Sequence, residues 1–124
     1  MEFSFIDTMT IKAISRRSTP LWKIIRYWDA YDRSYPTYLE FRNSVNKLIQ
    51  IGAIELNHEG SITFTNKLYK KMSIVERFSY LIQPSEDLIL KVLARFTTKP
   101  NLQIMDISEL NFEKSIQEYI VKAR

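Results

Sequence analysis

The 124-residue chain has no cysteine, only two glycines and a single histidine. Without cysteine there can be no disulfide, thiolate nucleophile, zinc finger or cysteine-ligated iron–sulfur cluster. Two glycines cannot build a phosphate-cradling loop, and with only four prolines they leave little material for linkers. No apolar run approaches the ~20 residues that cross a bilayer, and the N-terminus lacks a basic region, apolar stretch and small-residue cleavage site. A cytoplasmic location without a membrane partner is therefore expected.

What is present is the composition of an ordinary globular protein, 45% hydrophobic and 26% charged. The length fits one domain, since domains cluster near ~100–150 residues. Abundant Leu, Ile, Lys and Glu favour helix. The net charge of +4 admits nucleic acid or an acidic protein as partner without requiring either. Its distribution is uneven. Residues 34–66 carry Arg42 and Lys47 against Glu40, Glu55 and Glu59, whereas residues 67–82 carry Lys67, Lys70, Lys71 and Arg77 against Glu76.

Along the chain, Ser4 and Asp7 have capping-box spacing, and Ile6, Met9, Ala13 and Ile14 share a helical face. A first helix over about 4–16 is expected, although Thr8, Thr10 and Ile11 also permit an extended segment. Arg16, Arg17 and Ser18 form a polar break. Thr19 as N-cap and Pro20 at the first helical position predict a second helix to about Asp32, with Leu21, Ile24, Ile25, Trp28 and Tyr31 on its buried side. A third helix follows Pro36-Thr37 and buries Phe41, Val45, Leu48 and Ile49, ending at Gly52. Residues 53–65 read as a β-hairpin, with Ile54 and Leu56 alternating on one strand, Ile62 and Phe64 on the other, and a turn at Asn57-His58-Glu59-Gly60. Trp28, Val45, Leu48, Ile49 and Ile54 are the expected shared core.

Phe41-x3-Val45-x2-Leu48-x3-Gly52-Ala53-Ile54, followed by a Gly60-centred hairpin ending Ile62-Thr63-Phe64-Thr65, resembles the recognition helix and wing of winged-helix proteins. Asp29-Ala30, Tyr35-Pro36-Thr37-x2-Glu40-Phe41 and Leu48-x3-Gly52 are similar to small bacterial proteins of this type that carry no assigned activity. The resemblance covers about half the chain. It implies a mostly α fold with a small β-hairpin, a winged helix-turn-helix with a core over about 4–72, and a C-terminal helical extension over about 73–124. It also implies that the third helix can enter a DNA major groove.

After the hairpin, residues 67–72 read as a short basic helical turn or two. Ser85 caps a helix whose stripe is Leu88, Ile89, Val92, Leu93 and Phe96. Pro100 and Asn101 break the chain. Asn111 is the candidate cap of a last helix bearing Phe112, Ile116, Tyr119, Ile120 and Ala123, a stripe that must be buried on this chain or on a second copy in a homodimer.

Enzymatic chemistry has no anchor in these residues. His58 sits at the hairpin turn beside Glu59, a place for a solvated side chain rather than a general base. Asp29 with Asp32, and Glu55 with His58 and Glu59, are better explained as surface charge than as metal ligands, so no cofactor or metal is expected. The crowd of Tyr27, Trp28, Tyr31, Tyr35 and Tyr38 suits packing better than base stacking.

Duplex DNA is the leading expected partner, in a transcription-regulating role. Asn43, Asn46, Lys47 and Gln50, with Arg42 at the flank, have side chains that bond base edges and phosphates. Lys23, Arg26 and Arg33 on the second helix and Lys67, Lys70 and Lys71 after the hairpin can grip phosphates. Glu40 and Glu59 oppose that contact. The alternative is a protein-binding module on the same fold, such as a bacterial toxin-neutralising immunity protein or an adaptor.

Overall fold

The computed structural model describes residues 2–14, 18–57, 60–82, 85–96 and 108–122. His58 and Glu59, the break at Arg16-Arg17, the one at Pro100-Asn101, and Ala123 lie outside them. The fold is mostly helical with one two-stranded antiparallel sheet. Its elements are α1 (Phe5–Ala13), α2 (Leu21–Asp32), α3 (Tyr38–Gln50), β1 (Ile54–Leu56), β2 (Ile62–Phe64), α4 (Asn66–Lys70), α5 (Ile74–Ile82), α6 (Glu86–Leu93) and α7 (Glu109–Lys122).

Helix α1 is the hub. Asp7, Thr8, Met9, Thr10 and Ile11 are all buried, because α2, α3 and α6 pack around it. Its start uses the capping box foreseen at Ser4, whose backbone N–H donates to Asp7 Oδ2 at 2.9 Å. The extended alternative is excluded over Phe5–Ala13, and the helix stops three residues short of Arg16, with Ile14 already extended.

Helix α2 begins one residue later than expected, with Pro20 outside the helix as its N-cap. The reason is tertiary. Thr19 spends its N–H and its carbonyl on Ile62, at 2.8 and 2.9 Å, forming a bridge at the hairpin edge instead of capping α2. Arg33 closes the helix in the left-handed conformation at φ 53°. Tyr31, assigned to the buried side, is 71% exposed and stacks on Tyr27 with ring centroids 4.3 Å apart.

Helix α3 carries the capping box Thr37/Glu40 and ends in a Schellman motif. The Ala53 N–H donates to the Leu48 carbonyl at 3.0 Å, and the Gly52 N–H to Ile49 at 2.9 Å. Gly52 has φ 83°, which favours glycine. The chain turns directly into β1, which pairs with β2 in the register Ile54 with Phe64, Glu55 with Thr63 and Leu56 with Ile62.

One core serves all these elements. Trp28, Val45, Leu48 and Ile54 lie in it as expected, with Ile49 half-buried at its edge. It also takes in Ile89, Val92, Leu93 and Phe96 around α6 and Phe112 of α7, so the C-terminal helices complete the core. Helix α7 lies along α2, and Phe112 contacts the Phe41 ring at 5.4 Å. Its cap is Ser108, whose hydroxyl accepts from the Asn111 N–H at 3.2 Å, so Asn111 lies inside the first turn.

Helix α5 was not expected. Its N-terminus is a capping box in which the Glu76 N–H donates to Ser73 Oγ at 3.2 Å and the Ser73 N–H to Glu76 Oε1 at 2.8 Å. Arg95 then grips Glu76 through two guanidinium nitrogens, at 2.5 and 2.8 Å, and donates to the Lys71 carbonyl. The guanidinium, helped by the Ser73 N–H, holds the Glu76 carboxyl down at about 2.

Leu48 is fully enclosed, so Leu48→Ala removes transfer energy and leaves a void. A loss of ~2–5 kcal/mol in denaturant unfolding is expected. Glu76 contributes stability only when ionised, in full above the ordinary glutamate range. That contribution disappears as pH falls towards 2. The stability gap between wild type and Glu76→Gln should therefore shrink between pH 6 and pH 3, as measured by unfolding midpoints at both pH values.

Candidate nucleic-acid interface

The face that α3 presents is set by the face it buries. Phe41, Ser44, Val45 and Leu48 are buried, which turns Leu39, Asn43, Asn46 and Gln50 to the opposite side at helical spacing. Asn43 is exposed, Asn46 and Gln50 are half-exposed, and Leu39 is 61% exposed. Arg42 is half-buried at the flank, and its Nε is enclosed without a hydrogen-bond partner. Glu40 is exposed but committed locally, its Oε1 accepting from the Thr37 N–H at 3.1 Å.

Lys47 is drawn out of this stripe. Its ammonium lies 2.7 Å from Oδ2 of the buried Asp7, donates to the Glu2 carbonyl at 3.0 Å, and sits 5.7 Å from the centroid of Phe3. The other Asp7 oxygen accepts from Ser44 at 2.7 Å, and Thr10 Oγ1 lies 3.1 Å from Ser44 Oγ. Lys47 thus neutralises a buried carboxylate that joins α1 to α3. Burying Asp7 without such partners would be costly.

Lys67 is engaged in a similar way. Its ammonium donates to the Ile51 carbonyl at 3.0 Å and lies 5.5 Å from the Phe96 ring, closing the C-terminal end of α3 where dipole and orphan carbonyls favour a cation. Lys71 lies 5.8 Å from the same ring and is half-buried, whereas Lys70 is exposed. Lys23 and Arg26 are exposed on α2 and flank Trp22, at 5.6 and 5.4 Å from its centroid. The ten residues proposed from sequence therefore form no single surface. They fall into the α3 stripe, the Trp22 group and the pair Lys67 and Lys71 at Phe96, with Lys47 apart on Asp7 and Lys70 exposed on α4.

No protein-family model, curated protein or solved structure matches the chain.

One residue of the Trp22 group went unnoticed in the sequence. Lys122 of α7 brings its ammonium 4.6 Å from the Trp22 centroid, making three cations around one half-exposed indole. Trp22 and Lys122 lie a hundred residues apart, and no local pattern links them. Beside this group, between the end of α1 and α2, Ala13, Ser18, Thr19, Lys23, Arg26 and Tyr27 line an open groove. Burial, with Tyr31 close by, pushes the Tyr27 hydroxyl up to about 12, so it remains a neutral hydrogen-bonding group there.

Among the described residues no three His, Asp or Glu side chains converge as metal ligands. Asp29, one of the acids considered for that role, accepts a hydrogen bond from Tyr119 at 2.5 Å, which raises the Tyr119 pKa. No helix among them is long and apolar enough to cross a membrane.

Lys47→Glu should place a second carboxylate beside buried Asp7. Its loss of stability should exceed that of Lys70→Glu, which alters an exposed position, by ~2 kcal/mol or more. Unfolding of both variants under one denaturant series measures the difference.

Proposed function

We propose that the chain is a winged-helix DNA-binding protein acting in transcription regulation, with α3 as the recognition helix. The single observation that carries this reading is the α3 stripe of Leu39, Asn43, Asn46 and Gln50, held outward by the buried opposite face. Asparagine and glutamine pair with adenine edges, and an apolar side chain such as Leu39 suits a thymine methyl. The element order α1-α2-α3-β1-β2 supports the winged-helix frame. So does Thr19, which adds a third short extended segment to the hairpin by pairing with Ile62.

Phosphate contacts fall to the exposed cations. Lys23 and Arg26 with Lys122 around Trp22, and Lys70 after the hairpin, take that role, while Lys47 and Lys67 support the fold. A second reading, a protein-binding module such as a toxin-neutralising immunity protein or adaptor, draws on exposed Leu39 beside Glu40 and on exposed Glu55 in β1. These residues suit a protein surface better than phosphate.

Fluorescence anisotropy with mixed-sequence duplexes at two salt concentrations tests the DNA reading. Affinity should fall steeply with salt, by roughly one log unit per log unit of salt for each phosphate neutralised. Lys23→Glu with Arg26→Glu should weaken binding to all sequences at least roughly ten-fold without changing the melting temperature. Asn43→Ala should relax preference at one base pair by ~1–3 kcal/mol. Absence of binding at low salt would transfer the α3 face to the protein-binding reading.

A further inference from the structure

Helix α5 is built with its apolar side outward. At 3.6 residues per turn, Ile74, Val75, Phe78, Leu81 and Ile82 occupy an arc of about 120°, with Glu76, Arg77 and Tyr80 on the other side. The polar side faces the protein. Glu76 is held by Arg95, the Arg77 Nε donates to the Tyr69 carbonyl at 3.0 Å, and the Tyr80 hydroxyl donates to the Ile11 carbonyl at 3.2 Å with its ring against Phe64. Burial raises the pKa of that Tyr80 hydroxyl and keeps it a donor. Among the described residues nothing covers the apolar side: Ile74 is 82% exposed, Val75 74%, Phe78 66%, Leu81 67% and Ile82 69%.

These five side chains present on the order of 600 Å² of apolar surface, the upper end of the ~300–600 Å² of a monomer's largest patch and about three quarters of the ~800 Å² per partner of a standard interface. The order of the residues indicates what covers it. Ile74-Val75-x2-Phe78-x2-Leu81-Ile82 is symmetric about Phe78. Two such helices packed antiparallel across a two-fold axis place Phe78 on its own copy, Ile74 on Ile82 of the other chain, and Val75 on Leu81. The two-fold makes every such contact reciprocal, and the symmetric order sets an apolar side chain against an apolar one at each level. The arc contains no charge, and neighbouring Glu76 and Arg77 are already engaged within the chain, so like charges do not meet across the axis.

We infer that α5 is a homodimer interface, pairing antiparallel with α5 of a second copy about a two-fold axis through Phe78. The inference is independent of the DNA reading and is tested without DNA. It also moves the expected dimer contact away from α7, whose Phe112 is already buried on this chain.

Sedimentation equilibrium of the full chain should show a mass rising with concentration from 14.8 kDa towards twice that value. Leu81→Glu should raise the dimer dissociation constant at least roughly ten-fold, with an unchanged circular dichroism spectrum. Because the chain has no cysteine, introduced thiols report the geometry directly. Under mild oxidation, Ile74→Cys mixed with Ile82→Cys should yield more covalent dimer than either variant alone. A protein that stays monomeric at every concentration overturns the inference, as does a dimer unaffected by Leu81→Glu. Equal cross-linking of the mixed and single variants would overturn the antiparallel arrangement. A monomer that binds lipid vesicles through α5 would assign the face to a bilayer instead.

Discussion

The buried carboxylate of Asp7 is the constraint on which the rest of the arrangement depends. It sits on the central helix, 1% exposed, and among the described residues it is satisfied by the Ser4 N–H and hydroxyl of its own N-terminal turn and by the Ser44 hydroxyl and Lys47 ammonium of α3. Apolar packing alone tolerates some rotation of one helix against another, since it is not directional. A carboxylate with fixed donors does not. Ser44 and Lys47 must face α1 together, and this fixes which residues of α3 are left facing solvent.

That rotation separates two kinds of cation in a chain of net charge +4. Lys47 neutralises Asp7, Lys67 closes the C-terminal end of α3, and Arg95 ties α5 to the end of α4 and to α6. Each serves a group that would otherwise be left with a charge or carbonyl poorly satisfied. Lys23, Arg26 and Lys70 serve none of these purposes and remain exposed. Formal charge counted along the sequence therefore overstates what is available to an outside anion.

The C-terminal helices relate to the first part of the fold in two ways. Helices α6 and α7 complete the core, against α1 and α2 respectively. Helix α5 is attached through hydrogen bonds, the Arg95–Glu76 ion pair and the ring contacts Tyr80–Phe64 and Arg77–Tyr69, and none of its residues is buried. An amphipathic helix normally turns its apolar stripe inward, so the inversion in α5 needs a partner to account for it. The signal for the helix itself was present in the sequence as Ser73-x2-Glu76 ahead of an apolar run, a capping-box pattern.

By itself the sequence determined the local elements: the capping box at Ser4, the start of a helix after Pro36-Thr37, the Ser85 cap, the Gly52 helix stop, and the alternation that pairs Ile54–Leu56 with Ile62–Phe64. These depend on neighbours a few residues apart, so their physics is written in adjacent letters. It also placed Trp28, Val45, Leu48 and Ile54 in the core through helical and strand periodicity. Only the tertiary structure decided that Thr19 pairs with Ile62 rather than capping α2, that Tyr31 is exposed, that Lys47 belongs to Asp7, and that Lys122 joins Trp22. Each of these outcomes joins groups from different elements or depends on which surfaces neighbouring elements leave uncovered. A side chain's type states what it can bind, whereas burial and the position of distant groups determine what it does bind.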